Sequence, residues 1–564
     1  MKPETPLHRA LRLISFAALG LALAIVAACA TALPTPELTP TPTRTPRPTV
    51  TPVPPTPSPS PTPAWPVTVY IPQGLPAPVA DSLNAAIAAH PDLFSASSAA
   101  DGAEVEVHHA SDQADASIAT WTYALVAPFP TIVDEVAWED FTASWSGQPS
   151  GPFAGQPLLM SAETAIALNS FLNQAAEGSV EILPEDQIAQ QAWDLRPSWA
   201  VVPFEQLDPR WKVLRISGMS LLHKDLDAAA YPLVLRLEVS GLDRGVSKLQ
   251  EILAGPIANR DPSKMTTVLM TGVTALSRAT AIRMDRHGVT YPAQDIRHWL
   301  LEADITHTSN EVSFAEDCPP PSDYTTMVFC SNPSYIGLLE DAGFDVIELT
   351  GNHLLDWGVD AMRLTLRMYE ERGIHYYGGG WNRSQAQQPL TITSGVHTFG
   401  FIGCNPAGPR SDWATDELPG SAPCDYELMA AEIGQMRQQG IIPIVTLQYI
   451  EFYQYDPTPQ QRADFQALAR AGATIVSGSQ AHQPQGWDLV DGAYIHYGLG
   501  NLFFDQMWSL ETRQEFLDRH VFYDGRHVST EILTAILEDY ARPRPMTAEE
   551  REALLSAAFT ASGW

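Results

Sequence analysis

Four times in this chain a short apolar run ends abruptly, three times in a Gly-, Asn- or His-bearing turn and once at a glutamine, and that recurrence is what most constrains the fold. Thr267-Val268-Leu269-Met270-Thr271-Gly272 is the first instance, and Asp345 to Leu349 leads into Thr350-Gly351-Asn352-His353. Pro443 to Gln448 and Thr474 to Val476, running into Ser477-Gly478-Ser479-Gln480-Ala481-His482, repeat it. Apolar runs of this length bounded by turn residues read as buried strands. In an open α/β sheet the loops leaving strand ends are where functional groups gather. Asn and His there supply neutral oxygen and nitrogen ligands for a divalent metal, and each taken alone is equally a turn cap or a surface histidine.

At 564 residues the chain exceeds what one hydrophobic core supports, so two or three domains are expected. Residues 1–29 have the layout of an export signal. Lys2, His8, Arg9 and Arg12 precede an apolar run from Leu13 to Ala28 that is too short to span a membrane. Val26-Ala27-Ala28-Cys29 resembles a bacterial lipobox, which predicts acylation of Cys29 and a lipid-anchored protein at the cell surface or on a periplasm-facing membrane. Residues 30–64 are Pro- and Thr-rich without apolar periodicity and read as a disordered linker. Its polyproline II reach would be about 90 Å.

Setting Cys29 aside leaves Cys318, Cys330, Cys404 and Cys424, an even number that suits an oxidising compartment. Each neighbouring pair brackets a stretch rich in Pro, Asp, Ser or Gly. Cys318 with Cys330 and Cys404 with Cys424 is therefore the preferred one of three connectivities. With 65 Asp plus Glu against 33 Lys plus Arg, the net charge of -32 repels phosphate backbones, so nucleic acid is excluded as a partner.

Residues 65–255 mix buried-strand runs (Val67 to Ile71, Tyr123 to Ala127) with helical spacing (Ala80 to His90, Ala162 to Ala176), an α/β pattern. Trp121 to Phe129, Val136 to Phe141, Trp199 to Phe204, Val213 to Ser217 and Tyr231-Pro232-Leu233 resemble periplasmic phosphate-type solute-binding proteins. That resemblance implies a small-anion ligand.

Residues 264–564 carry longer motifs. Gly351-Asn352-His353-Leu354-Leu355-Asp356-Trp357-Gly358, then Tyr377-Gly378-Gly379-Gly380, Gly478 to Gln485, and Tyr497 to Gln506 with its Leu499-Gly500-Asn501, follow in the order seen in the CapA (poly-gamma-glutamate capsule synthesis) family. The resemblance implies a metallophosphatase-like αββα sandwich behind the solute-binding-protein-like α/β domain. It also implies a role in making, exporting or binding a polyglutamate-type envelope polymer.

By resemblance, Asn352, His353 and His482 are candidate catalytic groups. Glu311, Asn352, His353 and His482 are candidate ligands for one divalent metal (Mn, Fe or Zn) or for none. Asn310, Arg278, Gln448, Gln480 and Asn501 are candidate substrate contacts. Three departures count against two-metal hydrolysis, which needs enough anionic and imidazole ligands to hold both ions. Val273 stands where the family has Asp, Gln448 and Gln480 stand where it has His, and Glu311 is displaced by one position, which would turn its carboxylate away from the site. If the chain binds without metal, Trp357, Tyr449, Tyr453 and Trp487 are expected to line a cleft for an anionic polymer. Three functions remain: a polymer-handling surface lipoprotein, a metal-dependent phosphoesterase or amide hydrolase, and a solute receptor with an inert second domain. At the end of the chain the spacing predicts a strand over Ile532 to Leu537 and a helix over Ala548 to Phe559 capped by Thr547.

Overall fold

The structure is a computed structural model that describes residues 65–110, 117–322 and 327–564, all within one compact unit. The expected export signal, Cys29 and the Pro/Thr linker lie outside the described residues.

In the N-terminal body ten strands form one mixed sheet. Its longest member, Ala119–Pro128, is almost wholly buried because nearly every residue from Trp121 onward is apolar. It runs antiparallel to both Val234–Gly241 and Trp199–Pro203. Helices Ala77–Ala89, Ala162–Leu172, Glu185–Asp194 and Asp243–Leu253 flank the sheet, as the α/β pattern predicts.

From Met265 onward two sheets stack face to face. The first runs in the order His375–Tyr377, Val346–Glu348, Ile305–Asn310, Met265–Thr274, Gln514–Tyr523, Arg526–Glu538, Arg542–Pro545. The second runs Leu390–Ser394, His397–Cys404, Ile442–Gln448, Ile475–Ser479, Ala493–His496, Trp487–Val490. Strand alternation sorts the side chains by layer. Val268 and Met270 face inward and pack with Phe401, Ile444, Ile475 and Tyr494 of the opposing sheet. Leu269, between them, faces out and joins Met284, Met362 and Leu366 of the helices Arg278–His287 and Val359–Arg372. On the far side Val445 and Val476 pack against Ile433 and Phe465 of Tyr426–Gln438 and Pro459–Arg470. The layers are helix, sheet, sheet, helix, the αββα sandwich expected.

The neighbouring strands that lead to the site run parallel, so their carboxyl ends share one edge of each sheet. Both disulfides form with the preferred pairing, and each braces a loop at that edge. Cys318–Cys330 closes the loop bearing Phe329, and Cys404–Cys424 closes the one bearing Asp412.

The two bodies interlock. Phe129 is ringed edge-on by Trp487, Tyr494, Phe559 and Trp564 at centroid distances of 5.5 to 6.2 Å. Tyr523 and Val528, from the long hairpin of the first sheet, sink into the N-terminal core. Asp134 takes an ion pair from Lys212 beside it and another from Arg551 across the boundary, at 2.5 and 2.7 Å.

Candidate functional site

The site begins with two close backbone approaches. A Cβ on Gly272 would come within 2.2 Å of the Gly500 carbonyl oxygen, and one on Gly351 within 2.5 Å of the Glu311 Cα. Only glycine fits at either place. The strand ends therefore draw together the segments carrying Glu311, Asn352-His353 and Asn501.

At their centre is Gln448, fully buried. Its Nε2 donates to Glu311 Oε2 at 3.4 Å, to Asn352 Oδ1 at 3.2 Å and to Gln480 Oε1. Its Oε1 accepts from Ser479 Oγ at 2.9 Å. Glu311 thus faces the cluster, contrary to the expectation that its one-position shift would turn it away. The reason is the tight crossing at Gly351, which presses the Glu311 backbone toward the turn. Its Oε1 has no partner. Gln480 and His482 both hold positive φ, 79° and 52°. Left-handed backbone at two neighbouring non-glycine positions is a strain that surrounding structure must impose, and such residues concentrate at functional loops.

Each histidine is oriented from behind. Asn501 Nδ2 donates to the carbonyls of His482 and Thr512 and to Gln506 Oε1, at 3.0 to 3.2 Å, which fixes the amide. Asn501 Oδ1 then accepts from His482 Nδ1 at 2.8 Å, leaving Nε2 to accept. His353 Nδ1 bonds Asp356 Oδ2 at 2.7 Å, and that oxygen also accepts from the Phe329 amide at 2.8 Å. Burial alone would lower the His353 pKa. The Asp356 hydrogen bond and the charges of Glu311, Asp356 and Asp412 outweigh it and raise the ring above its usual value.

Behind both rings lies Arg278, itself at positive φ and buried. Its guanidinium is 4.7 and 5.0 Å from the ring centroids of Phe329 and Phe504, and it pairs with Asp505. Phe329 packs on His353 at 4.2 Å and Phe504 on His482 at 5.2 Å. Arg278 thus backs the two rings that pack on the histidines, and it also lines a cavity of about 440 Å³ with Phe329 and Trp357.

Asn501 is likewise fully buried and committed to His482, and Asn310, also fully buried, donates to Tyr369 Oη at 2.7 Å. Neither reaches a surface. Two expected cleft aromatics are core residues. Trp487 packs between Phe129 and His496, and Tyr449 is buried with its hydroxyl on Asp464 at 2.9 Å. Trp357 and Tyr453 are the two that reach solvent.

Two carboxyls that sequence reasoning missed belong to the site. Burial and the neighbouring Asp356 push Asp412 up to about 7, with His353 acting in the opposite sense. Burial pushes Glu348 up to about 7 as well, against hydrogen bonds from Thr350, Ser479 and Thr446. Glu348 was visible as a lone acid inside an apolar strand. Asp412 had no signal, since only the disulfide-closed loop brings it in.

The donor set does not fit a metal ion. Where a cation would need lone pairs, the Gln448 amide presents N–H groups to three oxygens, and Val273, fully buried, supplies nothing. Among the described residues no three His, Cys, Asp or Glu side chains are grouped to hold one.

Residues 267–506 match the family model of the bacterial capsule synthesis protein PGA_cap. The C-terminal body is a CapA-family domain. The chain is 25% identical over 301 residues to the capsule biosynthesis protein CapA of Bacillus anthracis, covering 52% of this chain and 72% of that protein. It is 27% identical over 197 residues to the PGA biosynthesis protein CapA of Bacillus subtilis (strain 168), covering 35% and 52%; it thus spans about half of that relative's length. Among solved structures, a 5'-nucleotidase precursor from Thermus thermophilus is similar at TM-score 0.31 and 13% identity, covering 53% of this chain and 59% of that one. A phosphate transport receptor from Vibrio cholerae is similar at TM-score 0.27 and 11% identity, covering 34% and 94%. At such scores the fold of the CapA-family domain rests on its own layers and strand order. Within that domain the three replacements, Val273, Gln448 and Gln480, sit at the cluster itself, and the supports of its two histidines are intact.

Proposed function

We propose that this chain is an envelope-anchored accessory of capsule polyglutamate synthesis whose CapA-family domain binds polymer and does not hydrolyse it. The observation that carries the reading is the Gln448 hub. An amide group joins Glu311, Asn352 and Gln480 where hydrolysis would need a metal, so the cluster is rigid and rich in amides. Asn352 and His353, half-buried at its rim, are the members a ligand can reach. Amide groups there match the backbone amides of a polyglutamate chain in hydrogen-bonding capacity. The two disulfides support export, since such bonds persist in oxidising compartments. Acylation of Cys29 and the Pro/Thr stalk would then hold the folded part away from the membrane.

The full chain in detergent micelles, titrated with poly-gamma-glutamate, should bind saturably, and Asn352→Ala with His353→Ala should weaken binding about tenfold. Because protein and polymer are both acidic, added salt should strengthen binding, the reverse of an ordinary ion-pair interface. Elemental analysis of the same preparation should show no stoichiometric metal. One equivalent of Mn, Fe or Zn, with turnover of a phosphodiester that the double variant loses, would replace this reading with the hydrolase.

A further inference from the structure

Beside the amide cluster lies a surface trough of about 470 Å³ formed by two loops, 449–457 and 504–510, that carry neither helix nor strand. Its walls are two aromatic rings that the core does not use. Trp508 is 62% exposed and Tyr453 37% exposed, and they meet edge to face with centroids 6.2 Å apart. Large exposed aromatics side by side are uncommon on a soluble surface and mark contact sites. The remaining lining is Tyr455, whose hydroxyl is held by Gln514, with Ser509, Gln454, Gln483 and the Glu511 carboxylate, and it contains no lysine or arginine.

The trough also communicates with the inner cluster. Gln483, one of its lining residues, follows His482 directly, and Tyr453 lies near enough to Glu311 and Gln506 for both to act on its phenol.

We infer that this trough binds a neutral pyranose ring of an envelope glycan. An aromatic wall offers an apolar face to the C–H surface of a sugar, and neutral amides, hydroxyls and one carboxylate around it can pair with ring hydroxyls. Small-molecule sites likewise combine an aromatic contact face with a few polar groups that fix orientation. Charge decides against a polyanion. The lining has an acid and no cation, and Tyr453 Oη is bonded to Glu451. The inference stands apart from the polyglutamate reading, since its ligand is uncharged and its residues are not those of the amide cluster.

The test is calorimetric titration of the full chain, held in a detergent without sugar headgroups, with a hexamer of N-acetylglucosamine and a hexamer of glucose. At least one should bind saturably. Trp508→Ala and Tyr453→Ala should each weaken it by more than about tenfold, and Trp508→Phe should retain most of the affinity. Both rings are exposed, so thermal melts of the variants should match the parent. Absence of binding by either hexamer, or equal binding by Trp508→Ala, overturns the inference. Loss of poly-gamma-glutamate binding in Trp508→Ala, with neither hexamer bound by the parent, assigns the trough to the anionic polymer instead. Self-association of the parent that Trp508→Ala abolishes, again without hexamer binding, assigns it to a second copy of the chain.

Discussion

At the scale of single residues the site is governed by what one amide can and cannot do. Gln448 has two N–H donors for three oxygens, so its neighbours share it, and the unpartnered Glu311 Oε1 is the residue of that mismatch. Glu348, one hydroxyl away through Ser479, shows the same economy in protons. Its carboxyl titrates near 7 in the fold and near 4.5 when exposed. The native state therefore holds this proton more tightly than the unfolded chain, and the group favours folding below about pH 4.5 and loses that contribution as pH rises through about 7. Glu348→Gln, which keeps the shape without the charge, should be more stable than the parent at pH 8 by roughly 3 kcal/mol and nearly equal to it at pH 4. Urea denaturation at the two pH values checks this, and a stability difference that does not change with pH would place the Glu348 charge in a solvated setting.

At the scale of elements, much was legible because strands and caps write themselves locally. Thr547 reads as a helix cap, and the structure adds the second half of a capping box from Glu550 ahead of Ala548–Ala561. Thr547→Ala should cost about 1 kcal/mol, seen as a lower denaturation midpoint with unchanged slope. The strands were legible for the same reason, since runs dominated by Val, Ile and Leu leave few alternatives: one ends at Gln448 as read, and those read as ending at Gly272 and before Gly351 end at Thr274 and Glu348. Side-chain direction was not. Trp487 and Tyr449 neighbour site segments in sequence, and nothing in a string of residues says that the pleat turns one into the core and the other onto Asp464. Nor could spacing reveal Asp412, Phe329 or Trp508, which reach the site through loops whose paths depend on disulfides and on the opposing sheet. The Glu311 expectation failed on this point too: a one-residue shift reverses a side chain in a regular strand, but Glu311 lies beyond the end of Ile305–Asn310, where the pleat no longer dictates direction.

At the scale of the molecule, the two bodies are joined by apolar insertion more than by charge. Phe129 fills a socket built from residues 487–564, so Phe129→Ala should lower stability by about 3 to 5 kcal/mol. It should also split a single unfolding transition into two, as loss of coupling between bodies would require. Calorimetry reads both effects, and one unchanged transition would show that the hairpin contacts of Tyr523 and Val528 suffice. The strand order has a consequence for how the chain is made. Met265–Thr274 sits mid-sheet, yet one of its neighbours is Gln514–Tyr523, some 250 residues downstream. A chain emerging amino end first carries an open strand edge and an uncovered Phe129 until that partner arrives, and exposed edges of this kind recruit other chains. Maturation is thus all or nothing in time. A ribosome that stops near residue 480 leaves a sticky intermediate, because the strand that covers the Met265–Thr274 edge has not yet been made.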